Sequence, residues 1–195
     1  MEELRTYKES AIMSNEKKHT IKDVESLPEG QRAELFDGEL VMMASPTTTH
    51  QRITTQLGYV INDYIRRKRG KCQVFVPSCG VFLKDDDKNY LEPDITVICD
   101  GNKLDDRGCH GAPDWVIEVV SPASRKLDYG RKLAAYIDAG VREYWIVDPE
   151  KEIVVVYDLA QPDVPAVYHA EDTVEVGIFE DLNIVLSDLW NIRFE

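Results

Sequence analysis

Two short apolar runs, residues 91–99 and 114–120, stand out in the pattern of hydrophobic and polar positions. Both are rich in β-branched residues and bounded by Gly and Pro, which predicts buried β-strands. Each run nevertheless holds one carboxylate, Asp94 in the first and Glu118 in the second. An ionised acid in a buried strand loses several kcal/mol of hydration unless another group compensates its charge. A metal ion compensates two acids at once, so the pattern indicates a metal site.

The chain before these runs is predicted to form a short helix, a hairpin and a long helix. Residues 20–27 have the pattern of the short helix. Asp37-Gly38 separates the apolar runs 33–36 and 39–43, which is a strong hairpin signal. The long helix opens at residues 45–47 and runs to about residue 69. Its apolar positions recur at helical spacing and predict one buried stripe, formed by Ile53, Leu57, Val60, Ile61 and Tyr64.

The next elements give the order of the predicted core. Residues 73–76 and 80–83 are interpreted as one bent strand, and residues 100–113 as a Gly- and Asp-rich loop. A helix over residues 125–139 follows the second apolar run and is predicted to bury a stripe formed by Leu133, Tyr136 and Ile137. Strands 143–147 and 153–157 come next. The core order from residue 47 to residue 148 is therefore αβββαβ. The tail after residue 166 is predicted to be a β extension of short strands or extended cover.

If the two apolar runs pair antiparallel with Asp94 opposite Glu118, Ile98 lies opposite Asp114 and both runs are used nearly fully. Opposed side chains have Cβ atoms about 5 Å apart, so the two carboxylates would need a cation or a shared proton between them. The alternation of a strand puts Glu118 on the same face as Val116 and Val120. Trp115, Ile117 and Val119 take the other face.

The predicted helix 125–139 offers a cation to this pair. Asp128 and Lys132 are four residues apart and share a face, and Lys132 borders the buried stripe. Its long stem can reach the end of strand 114–120. Two acids, one metal and one lysine suit phosphodiester hydrolysis, and hard oxygen ligands favour Mg²⁺ or Mn²⁺. Two simpler readings stay open: a salt-bridged strand carboxylate, and an ordinary helix pair between Asp128 and Lys132.

The net charge of −13 argues against a protein that coats DNA without sequence preference. It leaves room for a nuclease with a local basic face, since the field depends on where the charges lie. Basic residues cluster over residues 66–71 and over residues 125–132. Either cluster alone is typical of a solvated helix surface.

The remaining features concern organisation and compartment. The sequence is interpreted as a flexible arm over residues 1–18 and a single domain over residues 19–195. Residues 1–18 are polar and mixed in charge, so they are not expected to be a signal peptide, and no apolar run approaches the roughly 20 residues of a membrane span. The four cysteines form no C-x-x-C pair and are expected to be reduced thiols in a cytoplasmic protein. The apolar tail and Trp190 suggest a homodimer.

The spacing of Pro93-Asp94 and Glu118-Val119-Val120 resembles the P-D…(D/E)-x-K nuclease superfamily. The fuller match, over about residues 21–157, is to its Uma-two (Uma2) branch of restriction-endonuclease-like proteins. The resemblance also rests on the segment 34–41, His50, Asp128, Lys132, Tyr136 and the segment 140–149 of this sequence.

The resemblance implies a fold and a set of site residues. The fold is α/β, a mixed central sheet flanked by helices. Asp94 and Glu118 are implied as metal ligands, with the Val119 carbonyl as a further ligand. Val120 occupies the usual position of the superfamily lysine, so Lys132 is implied as its replacement. The implied activity is a Mg²⁺-dependent endonuclease acting on DNA.

Two residues and two rival functions stay open. Glu34 fits either an additional catalytic acid or a surface residue of the hairpin. His50 fits the family pattern without a defined role. A binding module that kept the fold without catalysis is the main alternative, favoured by the acidic charge and by Val120. A glycosidase using the acid pair is a third hypothesis, because closely spaced carboxylates also suit that chemistry.

Overall fold

The structure is a computed structural model that describes residues 18–77 and 79–190. The predicted arm, residues 1–18, lies outside these ranges except for Lys18, so it stays a prediction. No helix among the described residues is both long and apolar enough to cross a membrane.

A mixed sheet forms the centre of the described residues. Its six strands are β3 (Gln73–Phe75), β5 (Ile95–Ile98), β8 (Trp115–Val119), β9 (Glu143–Asp148), β10 (Ile153–Asp158) and β11 (Ala166–His169). They lie in the order β11-β10-β9-β8-β5-β3. The β8–β9 pair is parallel and the other pairs are antiparallel.

The pairing of β5 with β8 has the register expected from the sequence. Ile95 lies opposite Ile117 and Val97 lies opposite Trp115. One step before β5, this register carries Asp94 to the position opposite Glu118. Both strands are fully buried, as their apolar composition predicts.

Helices cover the two faces of the sheet, so the hydrophobic core consists of two clusters, one on each face. α2 (Thr48–Arg67) packs with Trp115, Ile117 and Val119 on one face. The other face, with Val116 and Val120, packs against a helical element over residues 125–139. That element consists of α3 (Arg125–Leu127), a π-helical turn (Asp128–Lys132) and α4 (Leu133–Ala139). The α/β fold with a mixed central sheet flanked by helices is therefore present, and the predicted alternation of β8 is confirmed.

The hairpin at Asp37-Gly38 forms between β1 (Ala33–Phe36) and β2 (Glu39–Met42). Asp37 and Gly38 have φ angles of 48° and 82°, as a two-residue type I′ turn requires. A bridge from Leu35 to Tyr90 joins β1 to the segment that leads into β5. This contact buries all of β1 and brings Glu34 into the interior. α1 (Ile21–Glu25) precedes the hairpin, as predicted.

The interpretation of residues 73–83 as one bent strand is wrong. β3 belongs to the central sheet, whereas β4 (Gly80–Phe82) lies in a separate small sheet with β7 (Gly108–His110) and β6 (Leu104–Asp105). The predicted loop at residues 100–113 therefore contains two strands and a 3₁₀ turn. This arrangement requires glycine at position 108, because a Cβ on Gly108 would meet the Gly80 carbonyl oxygen at 2.1 Å.

The expectation that all four cysteines are reduced thiols is also wrong. Cys72 and Cys99 form a disulfide, whereas Cys79 and Cys109 are free and buried. The register of β3 with β5 pairs Gln73 with Ile98, so Cys72 and Cys99 lie directly opposite each other one step further along. The sequence contains the pair, but only this register brings the two sulfurs together.

The tail packs onto the chain's own core. β12 (Thr173–Glu175) and β13 (Asn183–Val185) form a two-stranded sheet, and a short helix, α5 (Ser187–Trp190), was not predicted. The apolar residues that suggested a dimer lie in the core beside α2, with Trp190 partly buried there. These residues are Val174, Val176, Ile184 and Leu186. The tail thus covers one face of its own sheet.

Candidate functional site

A pocket of about 770 Å³ opens between the first turn of α2, the C-terminal end of β8 and the helical element 125–139. The predicted site residues Glu34, Asp94, Glu118, Val119 and Lys132 all line it. His50 and Asp128 line it as well. The structure therefore brings together residues that are up to 98 positions apart in sequence, from Glu34 to Lys132.

Asp94 is held by two donors at a single oxygen. The imidazole Nε2 of His50 lies 2.9 Å from Asp94 Oδ2. The backbone N–H of Val119 donates to the same oxygen at 2.8 Å. His50 reaches this position because Thr47 caps α2, accepting the backbone N–H of His50, which places that residue in the first turn. No described residue donates a hydrogen bond to the second oxygen, Oδ1.

Glu118 is held in the same manner from the opposite side. The Nζ of Lys132 donates to Glu118 Oε1 at 2.9 Å, and the hydroxyl of Tyr136 donates to the same oxygen at 2.8 Å. Both donors lie on the helical element 125–139 and are buried. Among the described residues no hydrogen bond reaches Glu118 Oε2. Each strand acid thus has one anchored oxygen and one oxygen without a protein donor.

Lys132 lies within a group of three carboxylates. Its Nζ is 2.9 Å from Glu34 Oε1, 2.9 Å from Glu118 Oε1 and 3.7 Å from Asp128 Oδ1. The lysine is 4% exposed, and its acidic neighbours Glu34 and Asp128 are 2% and 1% exposed. The π-helical turn places both Asp128 and Lys132 on the buried side, and such wide turns are common at functional sites.

The surface alternative for Glu34 is excluded by its burial. Its Oε1 also accepts the backbone N–H of Glu92 at 3.1 Å, so a second element fixes the carboxylate. Glu92 in turn pairs with Arg32 at the edge of the pocket. The simpler reading of Asp128 and Lys132 as an isolated helix pair is wrong too, because Glu34 and Glu118 lie closer to the ammonium than Asp128 does.

The electrostatics of this group show an excess of negative charge. Burial raises the pKa of Glu118 well above its usual range; Lys132 opposes this, and Asp94, Asp128 and Glu34 add to it. Burial lowers the pKa of Lys132, but Glu118, Glu34 and Asp128 outweigh burial and hold that pKa well above its usual range. The ammonium therefore stays protonated. One ammonium faces several acids, so the site favours an additional cation or proton.

The donor set fits a hard divalent cation. Asp94 Oδ1 and Glu118 Oε2 are the free carboxylate oxygens, and both residues line the pocket. The Val119 N–H points toward Asp94, and in an extended strand the carbonyl of the same residue points to the same side. No group of three or more His, Cys, Asp or Glu side chains in the described residues is arranged to hold a metal. Two carboxylates and one carbonyl still match Mg²⁺, which usually retains several waters.

Two contributors to the site were not recognised from the sequence. Tyr136 was assigned to the buried stripe of its helix, yet its hydroxyl holds Glu118. Burial raises the pKa of Tyr136 well above its usual range, and Glu118 adds to this, so the hydroxyl stays a neutral donor. His50 had no assigned role and contacts Asp94 across 44 positions. The sequence signal that pointed to a position for His50 is that it lies just after the capping Ser/Thr segment, in the first turn of the helix.

Comparison with known proteins identifies the family. The family model Uma2, described as "Putative restriction endonuclease", matches residues 21–187. The chain belongs to the Uma2 family. This confirms the resemblance read from the motifs and agrees with the fold.

The chain is similar to two proteins of Synechocystis sp., "Uncharacterized protein slr1290" and "Uncharacterized protein sll1609". The first is 26% identical over 106 residues, which is 54% of this chain and 54% of that protein. The second is 23% identical over 121 residues, 60% of this chain and 67% of that protein. The chain thus spans only about half the length of the first relative.

A solved structure has the same fold. It is the crystal structure described as "a putative nuclease belonging to DUF820" from Anabaena variabilis, with a TM-score of 0.72 and 24% sequence identity. The match covers 88% of this chain and 97% of that one. At this identity the likeness shows the fold, and it agrees with the restriction-endonuclease-like architecture of the Uma2 family.

Proposed function

We propose that this Uma2 protein is a Mg²⁺- or Mn²⁺-dependent endonuclease that hydrolyses phosphodiester bonds in DNA. Asp94, Glu118 and the Val119 carbonyl would hold the metal. The observation that carries this proposal is the paired anchoring of the two acids. Each gives one oxygen to protein donors and keeps one oxygen without a described donor, and both residues line the same pocket.

When bound, the metal would lower the pKa of a water and neutralise phosphate oxygens. The chain's own residues prepare the site for it. His50 and the Val119 N–H orient Asp94, while Tyr136 and Lys132 orient Glu118. The positive charge of Lys132 is fixed near the pocket and would stabilise charge that develops on the phosphate.

Glu34 is proposed to act on Lys132. Its carboxylate lies 2.9 Å from the ammonium and is itself fixed by the Glu92 N–H. The lysine is therefore held between β1 and β8 and cannot turn away from Glu118. In this proposal Glu34 completes the catalytic set as a positioning acid, which agrees with its prediction as an additional acid of the site.

Titration calorimetry with Mg²⁺ and Mn²⁺ tests the proposed metal site. The wild-type protein should bind one ion, and Glu118→Gln should weaken binding by at least about tenfold, because a neutral amide loses the charge attraction for a cation. Glu25→Gln serves as the control, since Glu25 is exposed and pairs with Arg107 away from the pocket. Equal heats for wild-type protein and Glu118→Gln would contradict the assignment.

A non-catalytic binding module is the second candidate. One observation favours it: Lys132 already compensates part of the charge of Glu34 and Glu118. In that case neither ion would bind specifically, and no variant of Glu118 would change the titration. The same calorimetric experiment therefore separates the two candidates.

A homodimer remains a proposal on a different surface from the one predicted. β11 is an edge strand of the central sheet, and unpaired edges favour association. Val164 and Val167 beside this edge are 80% and 51% exposed. Light scattering after gel filtration should give twice the chain mass, and Val167→Lys should shift it to the monomer. A monomer for the wild-type protein at micromolar concentration would contradict the proposal.

A further inference from the structure

The segment from Thr48 to Lys71, which contains α2, has a charge opposite to that of the whole chain. It carries a single acid, Asp63, in a protein whose net charge is −13. The six basic residues of the segment are Arg52, Arg66, Arg67, Lys68, Arg69 and Lys71. A positively charged segment in an acidic protein produces a local electrostatic field that attracts an anionic partner.

One face of α2 is exposed along its whole length. The opposite face, with Ile53, Leu57 and Ile61, is buried against the sheet. The exposed positions follow each other at steps of four, four, three and four residues, so they form one stripe: Gln51, Thr55, Tyr59, Asn62 and Arg66. We call these five residues the α2 stripe. Tyr59, at its centre, is 66% exposed.

The α2 stripe begins inside the candidate active site. Gln51 and Thr55 line the pocket that holds Asp94 and Glu118. A second, shallower concavity follows on the same helix, and Tyr59, Asn62 and Arg66 are among its lining residues. Gln51 and Arg66 are fifteen residues apart, about 22 Å of helix at 1.5 Å per residue. The surface is long enough for several nucleotides.

Arg66 is available for a phosphate. Its neighbour Arg67 pairs with Asp63 at 2.8 Å, and Lys68 pairs with Asp181. Within residues 18–77 and 79–190, Arg66 forms no ion pair, so no described acid competes for its guanidinium. The end of the stripe therefore combines an unpaired guanidinium with the accumulated positive charge of residues 66–71.

We propose that the α2 stripe binds a single strand of DNA that leaves the active-site pocket, with a base stacked on Tyr59 and a phosphate at Arg66. This inference rests on the proposed function for its partner. An exposed aromatic ring next to a cationic track is the arrangement that binds unpaired nucleotides, because every base has a face that can stack. A base within a duplex is already stacked, so the substrate is single-stranded or locally opened where it crosses α2.

Binding of a labelled oligothymidylate to the full chain in EDTA tests the inference without cleavage. Tyr59→Ala should weaken binding by roughly 5- to 150-fold, the range for loss of one base stack. Tyr59→Phe keeps the ring and should bind nearly as the wild type does. Arg66→Ala should reduce the slope of log Kobs against log salt by about 0.7, the value for one phosphate of a single strand. Arg107→Ala is the matched control, since Arg107 is exposed, pairs with Glu25 and lies outside the stripe.

Several results would overturn the inference. They are unchanged binding by Tyr59→Ala and Arg66→Ala, an equal loss in Arg107→Ala, and a wild-type protein that does not bind the oligonucleotide. These outcomes are distinct from failure of the proposed function. Metal-dependent cleavage with an unchanged Tyr59→Ala variant would refute the stripe alone, whereas binding through the stripe without metal-dependent cleavage would refute the nuclease alone.

Discussion

Replacing Lys132 with methionine should lower the free energy of unfolding by about 3–5 kcal/mol at neutral pH, the cost of leaving buried charge without its partner. Methionine keeps most of the length and apolar volume of the lysine stem. It removes the ammonium that lies 2.9 Å from both Glu34 and Glu118. Those acids, with Asp128, would then repel one another in the interior.

The loss of stability in Lys132→Met should depend on pH in a defined direction. Burial raises the pKa of Glu118 in the folded protein well above its usual range, and Lys132 opposes this rise. Without the lysine that pKa rises further, so the folded state holds a proton over a wider range of pH in which the unfolded chain has released it. Stability of Lys132→Met is then highest below the ordinary carboxyl pKa of about 4.3 and falls as the pH rises through the raised value.

Urea unfolding at a series of pH values measures both effects. Lys126→Met is the matched control, because Lys126 lies on the same helical element but is exposed. It should change stability by no more than about 0.5 kcal/mol. An equally stable Lys132→Met variant at neutral pH, or a deficit that grows on acidification toward the carboxyl range, would contradict this view of the buried charges.

Asp94→Asn should reduce Mg²⁺-dependent DNA cleavage by at least about 100-fold. The amide preserves the shape of the side chain but removes the charge of a proposed metal ligand, and a bound metal supplies several kcal/mol of stabilisation to the reaction, each 1.4 kcal/mol being a factor of ten. The stability of the fold should change little, because the substitution also removes repulsion between Asp94 and Glu118.

A supercoiled plasmid with Mg²⁺ is the substrate for this assay, and Asp163→Asn is the control for loss of an exposed acid elsewhere in the chain. The control should cut as the wild type does. Unchanged cutting by Asp94→Asn would end the assignment of Asp94 to the metal. Equal loss in both variants would point to a general effect of charge.

The centre of the fold could be predicted because local patterns determine it. The register that sets Asp94 opposite Glu118 uses the apolar runs 91–99 and 114–120 nearly fully, and that register is the one observed. The Asp37-Gly38 turn needs two positive φ angles and has them. Gly140 ends α4 in a left-handed conformation for the same local reason.

The features that could not be predicted from the sequence depend on contacts between distant segments. Glu34 is buried because Leu35 bridges to Tyr90, 55 positions away, and nothing within the hairpin itself signals that contact. The disulfide between Cys72 and Cys99 likewise exists only once β3 pairs with β5. The small sheet of β4, β6 and β7 is built from strands of two or three residues, too short to show periodicity.

The roles of individual side chains were the hardest feature to predict from the sequence. The helical spacing of Tyr136 correctly predicts a buried residue, but burial alone does not show that its hydroxyl faces an acid. The spacing of about 3.6 residues per turn gives no sign of the single π-helical turn at Asp128–Lys132. Side-chain chemistry therefore had to come from the packed structure.

Anomalous diffraction from a crystal of the protein soaked with Mn²⁺ tests the proposed metal site most directly. If Asp94 and Glu118 hold the metal, we expect one strong peak in the pocket, about 2.0–2.2 Å from Asp94 Oδ1 and Glu118 Oε2 and near the Val119 carbonyl. Lys132 should still be bound to Glu118 Oε1. A pocket without a peak under saturating Mn²⁺, or a peak coordinated by other residues, would contradict it.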